Sequence, residues 1–596
     1  MAVESIAPEA HDNDHFIKKS FNSYLFPSIL SILGGNISIM VDNCVAGAVL
    51  GEQALAAMGI VNPVFNALTL FGLLIGGGAS ALASVSIGQG NNDGKKRYFT
   101  LSFYMLLIAA AVTTALGLIF LDPLVRALGA SEELFAPVKD YARILIAFGG
   151  AVMFVYFPLF FFRIEGKAKV SMIMFFIMSI LDIVFDLVFT LVFHWGMSGL
   201  ALATGLSSLV AVLCVFPRLF SRDIGYSLVK LKDLLPDAKK ILKTGSPLAL
   251  GNLYCVVRVR IFNALLISCG GSLALAAYGC ANSVNNIGLA VVSGVAQTVG
   301  PLVGVLYGER DKEGIKRTVS LAMRRGGIIT ASLWILTVIF SRQLAALFGM
   351  TTPEQTKYAA LAISILNFNL VSSLAVEVLV AYYMTTQRTG ISNLLTVFDG
   401  LIFRVLFAYI GSKLLGFIGF LTGLALSGVF SLIPAFISAS RKKKKEDCDS
   451  ILLFSRQLFD YGSFLSRTIP PVSENISEMS EMAGDFCCEH GLTPKQAMTV
   501  SLGIEEIMVL MAQHAVENEN DCLEFRLFIS EYETILRLRC AGKWFDPLHY
   551  ESEDEMDTLS VRMLLKMASD ISYSTNLGMN NVKITIQRKK ESHEAF

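Results

Sequence analysis

Ser179-Ile180-Leu181-Asp182-Ile183-Val184-Phe185-Asp186-Leu187-Val188-Phe189 sets two carboxylates inside an apolar run that continues from Val170 to His194. About 20 apolar residues cross the hydrocarbon core of a bilayer, so this run is long enough to span it. Asp182 and Asp186 share one face of a helix, one turn apart. A charged side chain at mid-membrane costs at least about 2.5–3.5 kcal/mol. Two on one face need a cation, a proton or a polar cavity, and that need points to a transporter.

Composition agrees. The chain has 596 residues, of which 54% are hydrophobic and 16% charged, with mean hydropathy +0.58. A soluble protein carries nearer a quarter charged residues, so most of this chain belongs in lipid. The formal net charge is zero, and no nucleic-acid partner is expected. The ten cysteines show no metal spacing and read as buried or cytosolic thiols. The N-terminus is polar through Lys19, so no removable signal peptide is expected.

Twelve apolar runs of spanning length lie near 20–48, 54–87, 98–121, 137–162, 168–194, 196–220, 240–269, 274–307, 319–347, 359–386, 390–412 and 416–439. Lys18-Lys19, Lys95 to Arg97, Lys167 and Lys169, Arg218 to Lys243, Arg310 to Arg325, Arg388 and Arg441 to Lys445 fall in alternate connections. The positive-inside rule then places both termini in the cytoplasm of a cell whose plasma or inner membrane the chain crosses many times.

An internal repeat divides these spans. Ala54-Leu55-Ala56-Ala57-Met58-Gly59 returns as Ala274-Leu275-Ala276-Ala277-Tyr278-Gly279, a shift of 220 that also pairs Pro27 with Pro247, Gly88 with Gly308, Gly196 with Gly416 and Ser207 with Ser427. Six spans per copy keep both copies in one orientation, so the fold expected is an all-α polytopic membrane protein of two parallel six-helix lobes with the substrate between them. The expected division is a cytoplasmic segment 1–19, an N-lobe 20–221, a cytoplasmic linker 222–238, a C-lobe 239–440, a basic linker 441–449 and a small cytoplasmic α+β domain 450–596. Under the shift Asp42 maps to Phe262, Asp182 to Ile402 and Asp186 to Leu406, so the three carboxylates belong to one lobe only.

The Pro27 to Asp42 helix, the Ala-Leu-Ala-Ala-x-Gly echo, Gly76-Gly77-Gly78 and Phe162-Arg163-Ile164-Glu165-Gly166 resemble the multidrug and toxic compound extrusion (MATE) family over roughly residues 15–440. The resemblance implies V-shaped lobes that export organic cations in exchange for Na⁺ or H⁺. It also implies a cation site formed by an aspartate on helix 1 and an Asn–Asp pair on helix 5. Asp42 and Asp186 match the two aspartates, while Asp182 stands where Asn is usual. Thr204 falls where the family places a hydroxyl, and Asn43, Asn66 and Ser179 offer neutral oxygens suited to Na⁺. No cofactor beyond the coupling ion is expected.

In the C-lobe, Arg258, Arg260, Glu377, Asp399 and Arg404 lie within apolar runs. They read as internal ion pairs, such as Arg404 with Glu377 or Asp399, or as substrate-facing groups. Their positive balance leaves open an anionic or lipid-linked substrate, as in the related flippases.

Beyond Arg441-Lys442-Lys443-Lys444-Lys445, which anchors at the anionic leaflet, amphipathic helices are expected at 474–490 and 494–516. Paired strands are expected at Leu523–Ile529 and Thr534–Cys540, a helix at Leu559–Ser569 and a last strand at Asn581–Gln587. Ser501 to Glu506, His514-Ala515, Gly542 to Pro547, Asp570 to Tyr573 and Gly578 to Asn580 resemble the ATP-binding fold of anti-sigma-factor serine kinases. The resemblance fails at the chemistry: the Mg²⁺-binding Asn falls on Leu510, the adenine-reading Asp on Cys540, and no lid glycine occurs near Leu559 to Met563. Glu505 alone remains as a general base. The tail is expected to be non-catalytic, binding a protein partner or regulating transport, and the alternative is a membrane-tethered kinase. With no P-loop in the chain, the leading function is ion-driven efflux of cationic or amphipathic compounds, not an enzyme activity.

Overall fold

The computed structural model describes residues 14–221, 224–230, 234–350, 352–456, 462–518, 521–550 and 559–588. Most of the segment expected at 1–19, parts of the linker at 222–238 and pieces of the tail at 457–461, 551–558 and 589–596 lie outside the described residues. Among the described residues nine helices are long and apolar enough to cross a membrane, and a bent pair makes a tenth. In the N-lobe these are α1 (Phe16–Leu50), α2 (Glu52–Gln89), α3 (Asn92–Ile119), the bent α4 (Glu132–Ala147 with Gly149–Ile164), α5 (Ala168–Val192) and α6 (Gly196–Phe220). The C-lobe has α9 (Lys312–Ile339), α10 (Pro353–Thr385) and two continuous stretches, Leu234–Gly308 and Thr389–Lys445.

Each continuous stretch is two spans. A straight helix of 75 residues would be roughly 110 Å long at 1.5 Å per residue, far beyond a bilayer. Gly271 breaks the first (φ 64°, ψ −153°), and the chain doubles back so that Phe262 and Tyr278 pack ring to ring at 6.2 Å. Leu415 and Gly416 break the second, and the backbone of Gly419 approaches that of Gly411 so closely that a Cβ on Gly411 would lie 2.0 Å from Gly419 O. The halves are α7 (234–270) and α8 (272–308), then α11 (389–414) and α12 (417–445), which completes twelve.

The repeat is written in the backbone. Positive φ recurs 220 residues apart at Gly51 and Gly271, Gly129 and Gly349, and Gly196 and Gly416. Asn91 caps α3 by accepting from Gly94 N, and Asp311 caps α9 by accepting from Gly314 N. The short helices Leu121–Ala127 and Ser341–Leu347 correspond as well. The register departs from 220 locally and returns to it by Gly196 and Gly416. Ser171 Oγ donates to Leu159 O at 3.1 Å, and its equivalent, Ser392 Oγ to Val380 O at 2.9 Å, lies 221 residues on. In either register Asp182 and Asp186 lie opposite uncharged residues, Ile402 or Phe403 and Leu406 or Phe407. The one-sidedness of the carboxylates stands.

The lobes meet backbone to backbone at the end that carries the basic connections. A Cβ on Gly88 would lie 2.0 Å from Val305 O, and one on Gly308 2.2 Å from Val85 O. Gly88→Ala should therefore lower the thermal unfolding midpoint of the purified protein, because overpacking costs typically about 1–3 kcal/mol. Gly59→Ala, with nothing within 4 Å of its Cβ, should not.

The tail forms β1 (Gly462–Ile469), α13 (Ser473–Glu489), α14 (Pro494–His514), β2 (Leu523–Ser530), β3 (Glu533–Cys540), α15 (Leu559–Met567), β4 (Asp570–Asn576) and β5 (Met579–Gln587). The five strands are antiparallel in the order β1-β2-β3-β5-β4, with Leu523 opposite Cys540. Alternation explains the two faces. Phe525, Leu527, Leu536, Leu538, Val582 and Ile584 pack against the helices. Glu524, Arg526, Arg537, Arg539 and Lys583 lie on the other face.

That second face is covered by the membrane part, so all eight residues of β2 are buried. Arg537 pairs with Glu309 at 2.8 Å and donates to Gly88 O at 2.6 Å. Arg539 also pairs with Glu309, Arg526 with Asp311 at 2.9 Å, and Lys583 Nζ donates to Gln89 O at 2.8 Å. Lys19 pairs with Asp521, and Gly166 meets Gly578 so closely that a Cβ would lie 1.9 Å from Gly578 N. Burial pulls the pKa of Arg537 down to about 10, with Glu309 opposing it. Burial acts on Arg539 in the same sense, but Glu309 and Glu524 outweigh it and hold that guanidinium above its ordinary value.

Candidate functional site

Asp42 of α1 and Asp182 and Asp186 of α5 converge, with one carboxylate oxygen of each within 4.8 Å of the others. All three are buried, Asp186 completely. The one-turn spacing on α5 and the packing of α1 along α5 produce the meeting; Ser179 Oγ donates to Gly34 O at 3.0 Å and pins the two helices together. Asp182 is the one carboxylate provided for: Ser38 Oγ donates to its Oδ2 and Ser207 Oγ to its Oδ1 at 3.1 Å. Both oxygens of Asp186 and Oδ1 of Asp42 are buried without a hydrogen-bond partner among the described residues. Carboxylates in that condition hold a proton or a cation.

Asp42 and Asp182 open onto a cavity of about 640 Å³ walled by α1, α2, α4, α5 and α6, with Ser293 and Gln297 of α8 from the other lobe. Thr204 is on the wall, its hydroxyl given to Leu200 O at 3.3 Å. Asn43 and Asn66 also line the cavity, their amide groups donating to Ile39 O at 2.8 Å and to Asn62 Oδ1 at 2.7 Å. Tyr141, which sequence reasoning missed, lies beside Thr204 within electrostatic reach of all three acids. Ser38 and Ser207 were missed too. Ser38 sits one helical turn before Asp42, the one signal available for it.

In the C-lobe Arg404 pairs with Asp399 at 3.1 Å and donates to Ser373 Oγ at 3.4 Å, with Glu377 beside both charges. Arg258 donates to Gly400 O at 3.1 Å, and Arg260 is exposed. The ion pair expected for Arg404 is present with Asp399. In the tail, Glu505 accepts a hydrogen bond from Ser480 Oγ at 2.8 Å, Leu510 is buried core, and Leu559–Met567 is helix.

Two six-helix lobes around a cavity walled by buried carboxylates define a polytopic membrane transporter rather than an enzyme. The chain belongs to the MatE family, which matches residues 27–188 and 247–410, one stretch in each lobe and together more than half of the chain. It is 29% identical to YoeA of Bacillus subtilis strain 168, a protein named for multidrug resistance, over 57% of this chain and 75% of that one. It is 24% identical to a FAD transporter of Shewanella oneidensis over 66% of this chain and 88% of that one. It is likewise 24% identical to the multidrug export protein MepA of Staphylococcus haemolyticus, over 61% and 78%. A solved outward-facing multidrug-resistance MATE transporter superposes with TM-score 0.68 at 25% identity, over 72% of this chain and 96% of that one. A mutant of the Vibrio cholerae transporter VcmN shares the fold, with TM-score 0.69 at 19% identity over 74% and 100%.

Proposed function

We propose that this transporter exports organic compounds in exchange for Na⁺ or H⁺ bound at Asp42, Asp182 and Asp186. It would lie in the plasma or inner membrane with both termini cytoplasmic. The observation that carries this reading is the convergence of three buried carboxylates in one lobe, two of them in the cavity wall. The relatives named for multidrug resistance and export, and the one named for FAD, support an organic substrate. A coupling ion drives transport only by binding one conformation better than another, and a buried acid trio does so if its access changes as the lobes rock. Efflux of a fluorescent compound from proteoliposomes should therefore require an imposed Na⁺ or H⁺ gradient; efflux of equal rate without a gradient would count against antiport.

The tail acts as a non-catalytic lock on the cytoplasmic end. It reaches both lobes at equivalent loops, Gly88-Gln89 and Glu309 to Asp311, the points that must part if the cavity is to open inward. Its helical face is left for a protein partner. Loss of Mg²⁺ and adenine ligands at Leu510 and Cys540 argues against the kinase alternative, and the acidic trio against a flippase of anionic lipid-linked precursors.

A further inference from the structure

Arg163 ends α4 at the basic side of the cavity and is not used by the ion site. Its side chain is 1% exposed, and Nε, Nη1 and Nη2 all lack a hydrogen-bond partner among the described residues. The neighbouring carboxylate, Glu165, is engaged by Lys95 at 2.9 Å and by the Tyr226 hydroxyl at 2.7 Å. Arg163 nevertheless lines the same cavity as Asp42 and Asp182. The 22 residues of α4 from Tyr141, beside the trio, to Arg163 correspond to roughly 30 Å at 1.5 Å per residue, so trio and guanidinium mark opposite ends of the cavity. A buried guanidinium without a counter-charge is strongly unfavourable, and its planar fork of donors matches a carboxylate or phosphate. Phe65, Tyr156 and Phe175 line the wall between, suited to an aromatic body.

We infer that Arg163 receives an anionic group, carboxylate or phosphate, of the transported compound. The substrates of this chain then include aromatic or amphipathic organic anions and zwitterions, held by the anionic end at Arg163. The inference rests on the efflux reading and narrows it.

Carboxyfluorescein and rhodamine 6G share a xanthene ring and carry opposite charge, so they separate the two readings in proteoliposomes of the full chain. The wild type should move both, and Arg163→Gln should lower the ratio of carboxyfluorescein to rhodamine 6G transport at least about tenfold, while Arg163→Lys restores part of it. Carboxyfluorescein should also raise the thermal midpoint of the wild type and not that of Arg163→Gln. The ligand-free midpoint of Arg163→Gln should not fall, since the change removes an uncompensated buried charge. Wild type that moves rhodamine 6G but not carboxyfluorescein overturns this inference and leaves the efflux reading intact. An Arg163→Gln protein with an unchanged dye ratio overturns it as well. Movement of neither dye counts against both.

Discussion

Asp186→Asn and Asp42→Asn should each remove gradient-driven efflux, whereas Asp182→Asn should transport with an altered ion dependence. Asp186 is fully buried, and neither of its oxygens receives a hydrogen bond among the described residues. Under the proposed function its charge would be met by the coupling ion or a proton, and an amide there binds neither as well. Asp42 brings a third unsatisfied oxygen from another helix, so an ion bound there would tie α1 to α5. A coupling free energy of about 1–3 kcal/mol corresponds to an effect of roughly 5–150-fold, and that is the gradient stimulation the two variants should lose. Asp182 differs because Ser38 and Ser207 already hydrogen-bond it, and both hydroxyls can serve an amide. The check is initial efflux rate against imposed Na⁺ and H⁺ gradients for the three variants; equal rates in wild type and Asp186→Asn would sink the assignment.

Glu309→Gln should release the tail. This carboxylate is fully buried and takes both Arg537 and Arg539. Removing one partner of a buried ion pair typically costs about 3–5 kcal/mol, because the remaining charges stay buried without compensation. Here the cost can be escaped by undocking, which returns both arginines to water. Hydrogen exchange at residues 85–89 and 305–309 should then rise sharply, and transport from the cytoplasmic side should quicken. Lys139→Ala, which breaks the exposed pair of Lys139 with Asp122, should change neither. Unaltered exchange in Glu309→Gln would mean that the lobes are closed by their own contacts and the tail is no lock.

Much of this architecture was legible in the chain. The spans follow from apolar length, the lobes from the 220-residue echo, and the carboxylates from their cost in lipid. The local slip around Ser171 and Ser392 was invisible because the ungapped matches on either side conceal it. In the tail, β1 and β4 escaped notice. Gly462 to Ile469 shows little alternation, and Asp570 to Asn576 is polar for most of its length. The alternating arginines of β2 and β3 carry no sign in sequence that their face is covered; periodicity shows that a strand has two faces, not that both are covered. Arg163 was noticed only as part of a family motif, because a buried guanidinium and an ion-paired one look alike in one dimension.

The central claim is that an ion entering at the N-lobe carboxylates drives export. Its most direct test is efflux from proteoliposomes of wild type and Asp42→Asn under imposed Na⁺ or H⁺ gradients. Wild-type efflux should follow one of the two gradients, and the variant should show no response to either. An Asp42→Asn protein that exports with the ion dependence of the wild type would contradict the account.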